Sequence, residues 1–260
     1  MAPSTLKSVT LPMPQTPHTI VCMKWGTAYG AEYVNILLSM VSRNTSRPVR
    51  LVCFTDDPTD LDPQIEAQPL PAIDMPERYA TTGWRKISLL QADVGGLSGD
   101  FLFLDLDVVI TSSIDDFFDF QPSATFCVIE NWTQRGLGIG NTSVYRLKVG
   151  AHTEVFDAYM ADPVGTIEGF RNEQTFKSRT ISSMVYWPEP WCASFKHSLL
   201  PPFPLNFVRT APLPADAKVV CFTGRPNPDH ARDGIWPEKK WYKRLRKKVR
   251  PTPWIAEHWR

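Results

Sequence analysis

Three absences narrow the classes of protein to which this sequence can belong. Its 260 residues include only five cysteines and no Cys-x-x-Cys pair, so neither a disulfide framework nor a cysteine-based zinc site is predicted. The net charge is only +1, which gives no reason to expect a nucleic acid partner. No apolar run approaches the roughly 18 residues that cross a bilayer, and residues 1–18 lack the apolar centre of a signal peptide. We therefore expect a cytoplasmic protein.

Proline and aromatic side chains, by contrast, are abundant. The sequence has 24 prolines, and 12% of its residues are aromatic. Many fixed loops and flat apolar surfaces are expected from this composition. The length suits one large domain rather than two. We place that domain at residues 19–236, after a flexible lead-in over residues 1–18 and before a basic, aromatic tail over residues 237–260.

Strand-like and helical patterns alternate over the first 110 residues. Short apolar runs at residues 19–23, 49–55 and 101–104 are typical of strands, and apolar spacings of three and four residues predict helices over 31–43 and 84–94. This β-α-β-α-β order indicates an α/β fold with a mixed, mainly parallel central sheet flanked by helices. In such sheets, ligands bind at the carboxyl ends of the strands.

The second half is less regular. Strands are predicted at residues 124–130, 142–146 and 218–223, and helices at 153–161 and 171–179. The stretch 188–214 is rich in proline and aromatic residues, and we expect it to wrap around the domain as ordered loops.

Asp105 and Asp107 form the strongest local signal of chemistry. They follow the apolar run at residues 101–104 directly, and their spacing of two would place both side chains on one face of a strand. Two carboxylates beside buried strands are costly unless they are paired or bind a cation. Mg²⁺ and Mn²⁺ prefer such oxygen ligands. A metal held there could bridge the phosphates of a nucleotide and stabilise a diphosphate leaving group.

The segment around this DxD motif resembles a known family. Residues 83–118 resemble the core block of the glycogenin and bacterial galactosyltransferase family, family eight of the GT-A glycosyltransferases. The matching residues are Lys86, Leu89, Asp105, Asp107, Ile114, Asp115, Asp116, Phe117 and Phe118. Weaker resemblances follow at residues 140–144, 172–174 and 221–226. The resemblance implies a Rossmann-like GT-A fold and a metal-dependent transfer of sugar from a nucleotide-sugar donor, UDP-sugar above all, to a glycan or lipid-linked acceptor with retention of configuration.

The resemblance also implies roles for individual residues. The donor would be held by Trp25 and Tyr29 of the loop at residues 25–30. Residues outside the loop would also bind it: Asp57, Lys86, Asp105, Gly224 and Arg225. Asn141, Glu173 and Gln174 would face the transferred sugar as candidate catalytic residues. Lys196, in a Ser-Phe-Lys stretch, would lie on the acceptor side.

The metal ligands are left partly open by the sequence. The family has a histidine ligand in its late motif, where this chain has Cys221. His230 lies a few residues further on and could take its place beside Asp105 and Asp107. Alternatively, the two aspartates, the diphosphate and water hold the metal. Because the third ligand is not determined, the sequence does not decide between Mn²⁺ and Mg²⁺.

Two other functions remain as alternatives. A nucleotidyltransferase also uses acidic residues and a metal in an α/β sheet, but residues 25–30 lack the basic residue common in its first loop. A degenerate, non-catalytic nucleotide-sugar-binding protein is the other, and Cys221 in place of a histidine favours it.

The tail carries a concentrated positive charge. Lys or Arg occupies eight of the twelve positions from 239 to 250, with Trp241 and Tyr242 among them. Such a segment either rests on an anionic membrane surface or is a solvated tail. The first alternative predicts a peripheral enzyme at the inner face of the membrane.

Overall fold

The computed structural model describes residues 17–238, 240–244 and 246–260. Residues 1–16 of the expected lead-in, together with Lys239 and Leu245 of the basic segment, lie outside this range.

A seven-stranded sheet forms the centre, in the order β3-β2-β1-β4-β7-β6-β8. Strand β7 is antiparallel to its neighbours β4 and β6, and the other pairs are parallel. The predicted mixed, mainly parallel sheet is therefore confirmed. Its strands are β1 His18–Lys24, β2 Val49–Thr55, β3 Glu66–Pro69, β4 Asp100–Leu104, β6 Phe126–Glu130, β7 Gly140–Lys148 and β8 Val185–Tyr186.

A second, three-stranded sheet lies beside the first. Strand β5 (Val108–Ile110) leaves the central sheet after β4 and pairs antiparallel with β10 (Val219–Cys221), which is parallel to β9 (Cys192–Ser194). Residues 101–104 and 108–110 thus belong to two different sheets, and Asp105 and Asp107 lie in the turn between them.

Apolar side chains cover both faces of the central sheet. In β1, Ile20 and Cys22 enter one core cluster, whereas Val21 and Met23 enter the other. This explains why the strand is apolar without alternation. The helices are α1 Ala31–Arg43, α2 Asp115–Asp119, α3 Thr153–Ala161, α4 Pro163–Gly169, α5 Glu173–Thr180, α6 Pro228–Arg232, α7 Trp241–Arg244 and α8 Pro253–His258. The helix expected over residues 84–94 is a 3₁₀ helix, Gly83–Leu90.

The end of the chain packs into the first core cluster. Val249, Ile255 and Trp259 are buried there, and α8 contacts α6 and β5. The distal part of the predicted tail is therefore joined to the domain by its core. In the part of the chain that the structure describes, no helix has the length and apolar character to cross a membrane.

Candidate active site

Chain ends of five strands meet at one edge of the central sheet. Because β1, β2, β4 and β6 run in one direction and β7 in the other, the carboxyl ends of the first four lie beside the amino end of β7. Several polar residues lie at these ends or just beyond them: Lys24, Asp57, Asp105, Asn131 and Asn141. The topology therefore gathers candidate residues from distant parts of the sequence.

Backbone hydrogen bonds fix the turn that carries the two aspartates. The Asp105 N–H donates to the Ser143 carbonyl (2.9 Å), and the Phe222 N–H donates to the Asp107 carbonyl (3.1 Å). Asp105 is thus held by β7, and Asp107 by the end of β10. The sequence prediction places both aspartates on one face of a strand, but they lie in a turn, where side chains do not alternate as they do in a strand. Both carboxylates nevertheless line the same two cavities.

Each aspartate has its own partner, buried Lys86 for Asp105 and partly buried Tyr29 for Asp107. Lys86 forms an ion pair with Asp105, and the Tyr29 hydroxyl donates to Asp107 Oδ2 (2.8 Å). Burial and the charge of Asp105 raise the pKa of Asp107 to about 7. Burial alone would lower the pKa of Lys86, but Asp105 and Glu173 outweigh it and raise that pKa. The site therefore holds more negative charge than its single paired lysine neutralises.

A first cavity of about 590 Å³ opens beside this pair. Trp25, Tyr29, Lys86 and both aspartates line it, together with Thr27 and Thr81. The loop at residues 25–30 is held by the Gly26 N–H, which donates to Asp56 (2.9 Å).

Asp57 lies at an adjoining groove of about 540 Å³ instead of in the first cavity. Its side chain is exposed, and its Oδ1 accepts the Thr59 N–H (3.0 Å) as a turn-forming aspartate does. Lys24 spans the groove floor, with its Nζ donating to the Asp57 carbonyl (2.8 Å). Tyr29 lines both spaces, so the groove continues the first cavity.

A second cavity of about 310 Å³ lies on the other side of the aspartates. Asn141 and Gln174 are brought together there, with Asn141 Nδ2 donating to Gln174 Oε1 (3.3 Å). The Ser143 N–H donates to Asn141 Oδ1 (3.1 Å), which fixes the amide. The other lining residues are Asn131, Trp132, Thr133, Asn172, His197, Phe222, Thr223 and Gly224.

Glu173 lies beneath the cavities and lines neither of the two. Its carboxylate accepts the Thr142 hydroxyl (3.0 Å) within the protein. One turn later on α5, Lys177 is only 1% exposed, and its Nζ has no hydrogen-bond partner among the described residues. Glu173 therefore belongs to a buried layer of charge that supports Lys86.

A divalent cation fits the aspartate pair. Two carboxylates face shared space, and burial, together with the charge of Asp105, raises the pKa of Asp107. Within the described residues, no group of three or more His, Cys, Asp or Glu could hold a metal. Mg²⁺ or Mn²⁺ at this place would have Asp105 and Asp107 as its ligands from the described residues and would need further oxygen ligands from outside the protein.

Comparison with known proteins finds its matches among solved structures. No family model and no curated protein matches the sequence. The galactosyltransferase LgtC, solved with donor and acceptor sugar analogues, is 13% identical with a TM-score of 0.53, over 81% of this chain and 88% of that one. The chain has the GT-A glycosyltransferase fold.

Two further GT-A structures support this assignment of the fold. Mouse xyloside xylosyltransferase 1 is 11% identical with a TM-score of 0.52, over 82% of this chain and 99% of that one. The glycosyltransferase GlyE of Streptococcus pneumoniae TIGR4 is 12% identical with a TM-score of 0.53, over 81% of this chain and 56% of that one.

Three predicted site residues of this GT-A domain lie apart from the aspartates. His230 is in the first turn of α6, where its Nδ1 accepts the Asn227 N–H (3.3 Å), so Asp105, Asp107 and His230 are not gathered into one ligand set. Arg225 is exposed beyond Gly224 and lines neither cavity. Lys196 is exposed too, and its neighbour His197 lines the second cavity.

Sequence reasoning missed Trp132 and His197. Trp132 lies two residues after the last residue of β6, so the rule that ligands bind at the carboxyl ends of strands could have found it. His197 has no comparable signal, because a π-helical turn, Phe195–Leu199, brings it to the cavity.

Proposed function

We propose that this chain is a metal-dependent glycosyltransferase that moves a sugar from a nucleotide-sugar donor, UDP-sugar in the first instance, to a glycan or lipid-linked acceptor. The observation that carries the proposal is the position of Asp105 and Asp107 between two cavities of unequal chemistry. The aromatic first cavity suits a nucleoside, and the amide-lined second cavity suits a sugar. The diphosphate between them would meet the aspartates and Lys86.

The protein groups at this junction account for binding and orientation. Lys86 places a positive charge beside the diphosphate, and Tyr29 holds Asp107 in position while offering its ring to the base. Asn141 and Gln174 present amides to the sugar hydroxyls. When bound at Asp105 and Asp107, Mn²⁺ or Mg²⁺ would stabilise the negative charge that develops on the diphosphate.

The transfer itself replaces one bond to the anomeric carbon with another. The bond to the diphosphate oxygen breaks and leaves its electron pair on the diphosphate, while the acceptor oxygen forms the new bond and releases its proton to the diphosphate or to water. We propose retention of configuration. This proposal follows the resemblance of residues 83–118 to the glycogenin and bacterial galactosyltransferase family.

The deciding experiment measures nucleoside diphosphate release from a panel of nucleotide sugars with Mn²⁺ and without acceptor. UDP with Mn²⁺ should also raise the melting temperature, by an amount that corresponds to about 2.7 kcal/mol at a hundredfold excess over Kd. Binding without release would favour the non-catalytic nucleotide-sugar-binding protein. Formation of nucleoside triphosphate and sugar 1-phosphate when pyrophosphate is added to the nucleotide sugar would indicate a nucleotidyltransferase.

We also propose that the protein contacts an anionic membrane through a surface named here the basic aromatic face, residues 203–208, 240–243 and 246–250. Phe203 and Val208 are 57% and 71% exposed, and the Arg246 guanidinium lies 5.7 Å from the Phe203 ring centre. Buried Asn206 donates to the carbonyls of Arg246 and Lys248 (3.0 Å each), which joins the loop to the basic segment. Apolar tips beside exposed cations suit an anionic headgroup layer.

A further inference from the structure

A third space continues beyond the second cavity. It is a groove of about 350 Å³, and Trp132 lines both spaces. On the facing side, His197 lines the second cavity and the next residue, Ser198, lines the groove. The two spaces therefore meet between the Trp132 ring and the turn that carries residues 197 and 198.

Trp132 is held as a fixed plane at this junction. Its indole N–H donates to the Cys192 carbonyl (3.1 Å), and it packs in part against the buried core. Because the nitrogen edge is anchored in β9, the ring keeps one orientation. A fixed, partly exposed aromatic plane can pack against the apolar C–H face of a pyranose ring at little cost in side-chain entropy.

The facing turn is fixed as well. The His197 N–H donates to the Ser194 hydroxyl (3.2 Å), and the Ser194 N–H donates to the Ser198 hydroxyl (3.2 Å). Phe195 anchors the turn in the core. Both sides of the junction are thus set before any ligand arrives, as a binding site for a small flexible molecule requires.

The groove beyond the junction is lined by groups that bind hydroxyls. Arg135 and Glu189 form an ion pair along it, and Asp216 lies on its far side. Carboxylates accept and guanidinium groups donate hydrogen bonds, so together they match a ring of neutral hydroxyls. Pro190, Leu199 and Pro214 supply apolar lining between these charged groups. The groove therefore offers both hydroxyl partners and apolar contacts, as a sugar ring with polar edges and apolar faces requires.

We propose that Trp132 is the platform of an acceptor-glycan subsite. The accepting sugar packs on the Trp132 ring beside His197, and the preceding sugar of the acceptor lies in the groove between Arg135, Glu189 and Asp216. The proposal rests on the proposed function. It assigns the acceptor as an oligosaccharide of at least two sugars, in which the subsite recognises sugar and not lipid.

The test separates acceptor use from donor use. Wild type, Trp132→Ala, Trp132→Phe and the exposed control Trp241→Ala are assayed for donor hydrolysis without acceptor, and for transfer to soluble p-nitrophenyl mono- and disaccharides of glucose, galactose and N-acetylglucosamine. Trp132→Ala should raise the acceptor KM about tenfold or more, should leave the UDP-induced melting shift unchanged, and should change donor hydrolysis much less than it changes the acceptor KM. Trp132→Phe should recover part of that loss, and Trp241→Ala should match wild type.

The groove has its own readout. Wild type should prefer disaccharide over monosaccharide acceptors, and Arg135→Ala with Glu189→Ala should remove that preference without changing donor hydrolysis. An unchanged acceptor KM in Trp132→Ala, or a wild type that hydrolyses donor but glycosylates no glycan of the panel, overturns the acceptor subsite. A wild type that releases no nucleoside diphosphate from any donor contradicts the glycosyltransferase proposal instead.

Discussion

The sheet over residues 18–110 and the loop-rich region over residues 185–260 contribute to the molecule in opposite ways. The sheet region pairs a buried lysine, Lys86, with Asp105, and partly buried Tyr29 with Asp107. The loop-rich region leaves aromatic and basic side chains in solvent, and Val208 and Trp241 are 71% and 73% exposed. Regular structure thus positions a few desolvated groups for chemistry, whereas irregular structure provides surfaces for recognition.

This difference predicts a gradient of mutational effects. Interactions of buried charges are stronger than those of solvated ones, and the loss of one partner leaves the other uncompensated. Surface contacts in water are each worth little. Substitutions at the sheet edge should therefore abolish activity, and substitutions on the basic aromatic face should change only localisation.

The largest effect is expected at the aspartate pair. Asp105→Asn and Asp107→Asn should each lower donor hydrolysis by about a hundredfold or more, since each removes charge that would hold the cation at the diphosphate. Initial rates with Mn²⁺ are compared with those of Asp157→Asn, an exposed aspartate on α3. Wild-type rates in both variants, with or without EDTA, would show that the pair has no part in transfer.

The next effect concerns the buried ion pair. Lys86→Met leaves Asp105 without its cation, so the free energy of unfolding should fall by about 3 kcal/mol, and UDP binding should weaken. Urea unfolding of Lys86→Met, Asp105→Asn and the double variant measures the coupling. The double variant should lose less stability than the two single losses added together. Strict additivity would mean that the two groups do not interact.

Lys177 gives a pH-dependent effect in the layer below. Burial lowers its pKa from 10.5 to about 8, although Glu173 acts in the opposite direction. Between these values the unfolded chain binds more protons than the folded chain, so stability rises with pH from about 8 to 10.5. Lys177→Met should flatten this rise in denaturant unfolding at pH 7 to 10, whereas exposed Lys148→Met should keep it. An unchanged slope in Lys177→Met would assign the rise to another group.

The same two regions differ in how far the sequence alone could predict them. Helices α1 and α3 and strand β2 have the predicted bounds, because local periodicity and short-range packing determine them. Strand β3, with the sequence Glu-Ala-Gln-Pro, was missed, since a polar edge strand containing proline carries no apolar pattern. Strand β9 has three residues and pairs with β10, which the sequence predicts at residues 218–223 and which pairs in turn with β5, far away in sequence.

The candidate site divides in the same manner. Asp105 and Asp107 could be found because they lie just after an apolar strand, and Lys86 and Asn141 are predicted through the family resemblance. His197 reaches its cavity through a turn fixed by the side chains of Ser194 and Ser198, and His230 is diverted into capping α6. The spacing of residues along the chain does not predict these side-chain hydrogen bonds, which depend on the local backbone conformation of the folded protein.

The smallest effect is expected on the basic aromatic face, which would change where the protein lies and leave its chemistry intact. Arg246→Gln with Lys248→Gln should weaken binding to vesicles of phosphatidylcholine and phosphatidylserine by about 1 kcal/mol for each charge. Val208→Ser should weaken it further through lost apolar insertion, whereas Val164→Ser, at an exposed valine on α4, should not. Co-sedimentation measures the bound fraction, and donor hydrolysis should stay at the wild-type rate throughout.

Salt and lipid charge separate the membrane contact from a merely solvated segment. Binding through the face requires anionic lipid and declines as salt screens the exposed lysines and arginines. Because Asn206 ties the loop to the carbonyls of residues 246 and 248, Asn206→Ala should separate the apolar tips from the charges and reduce binding even though both remain exposed. Equal recovery of wild type and the charge variants in the supernatant would leave the segment as a solvated surface. Its charges would then contribute to solubility alone.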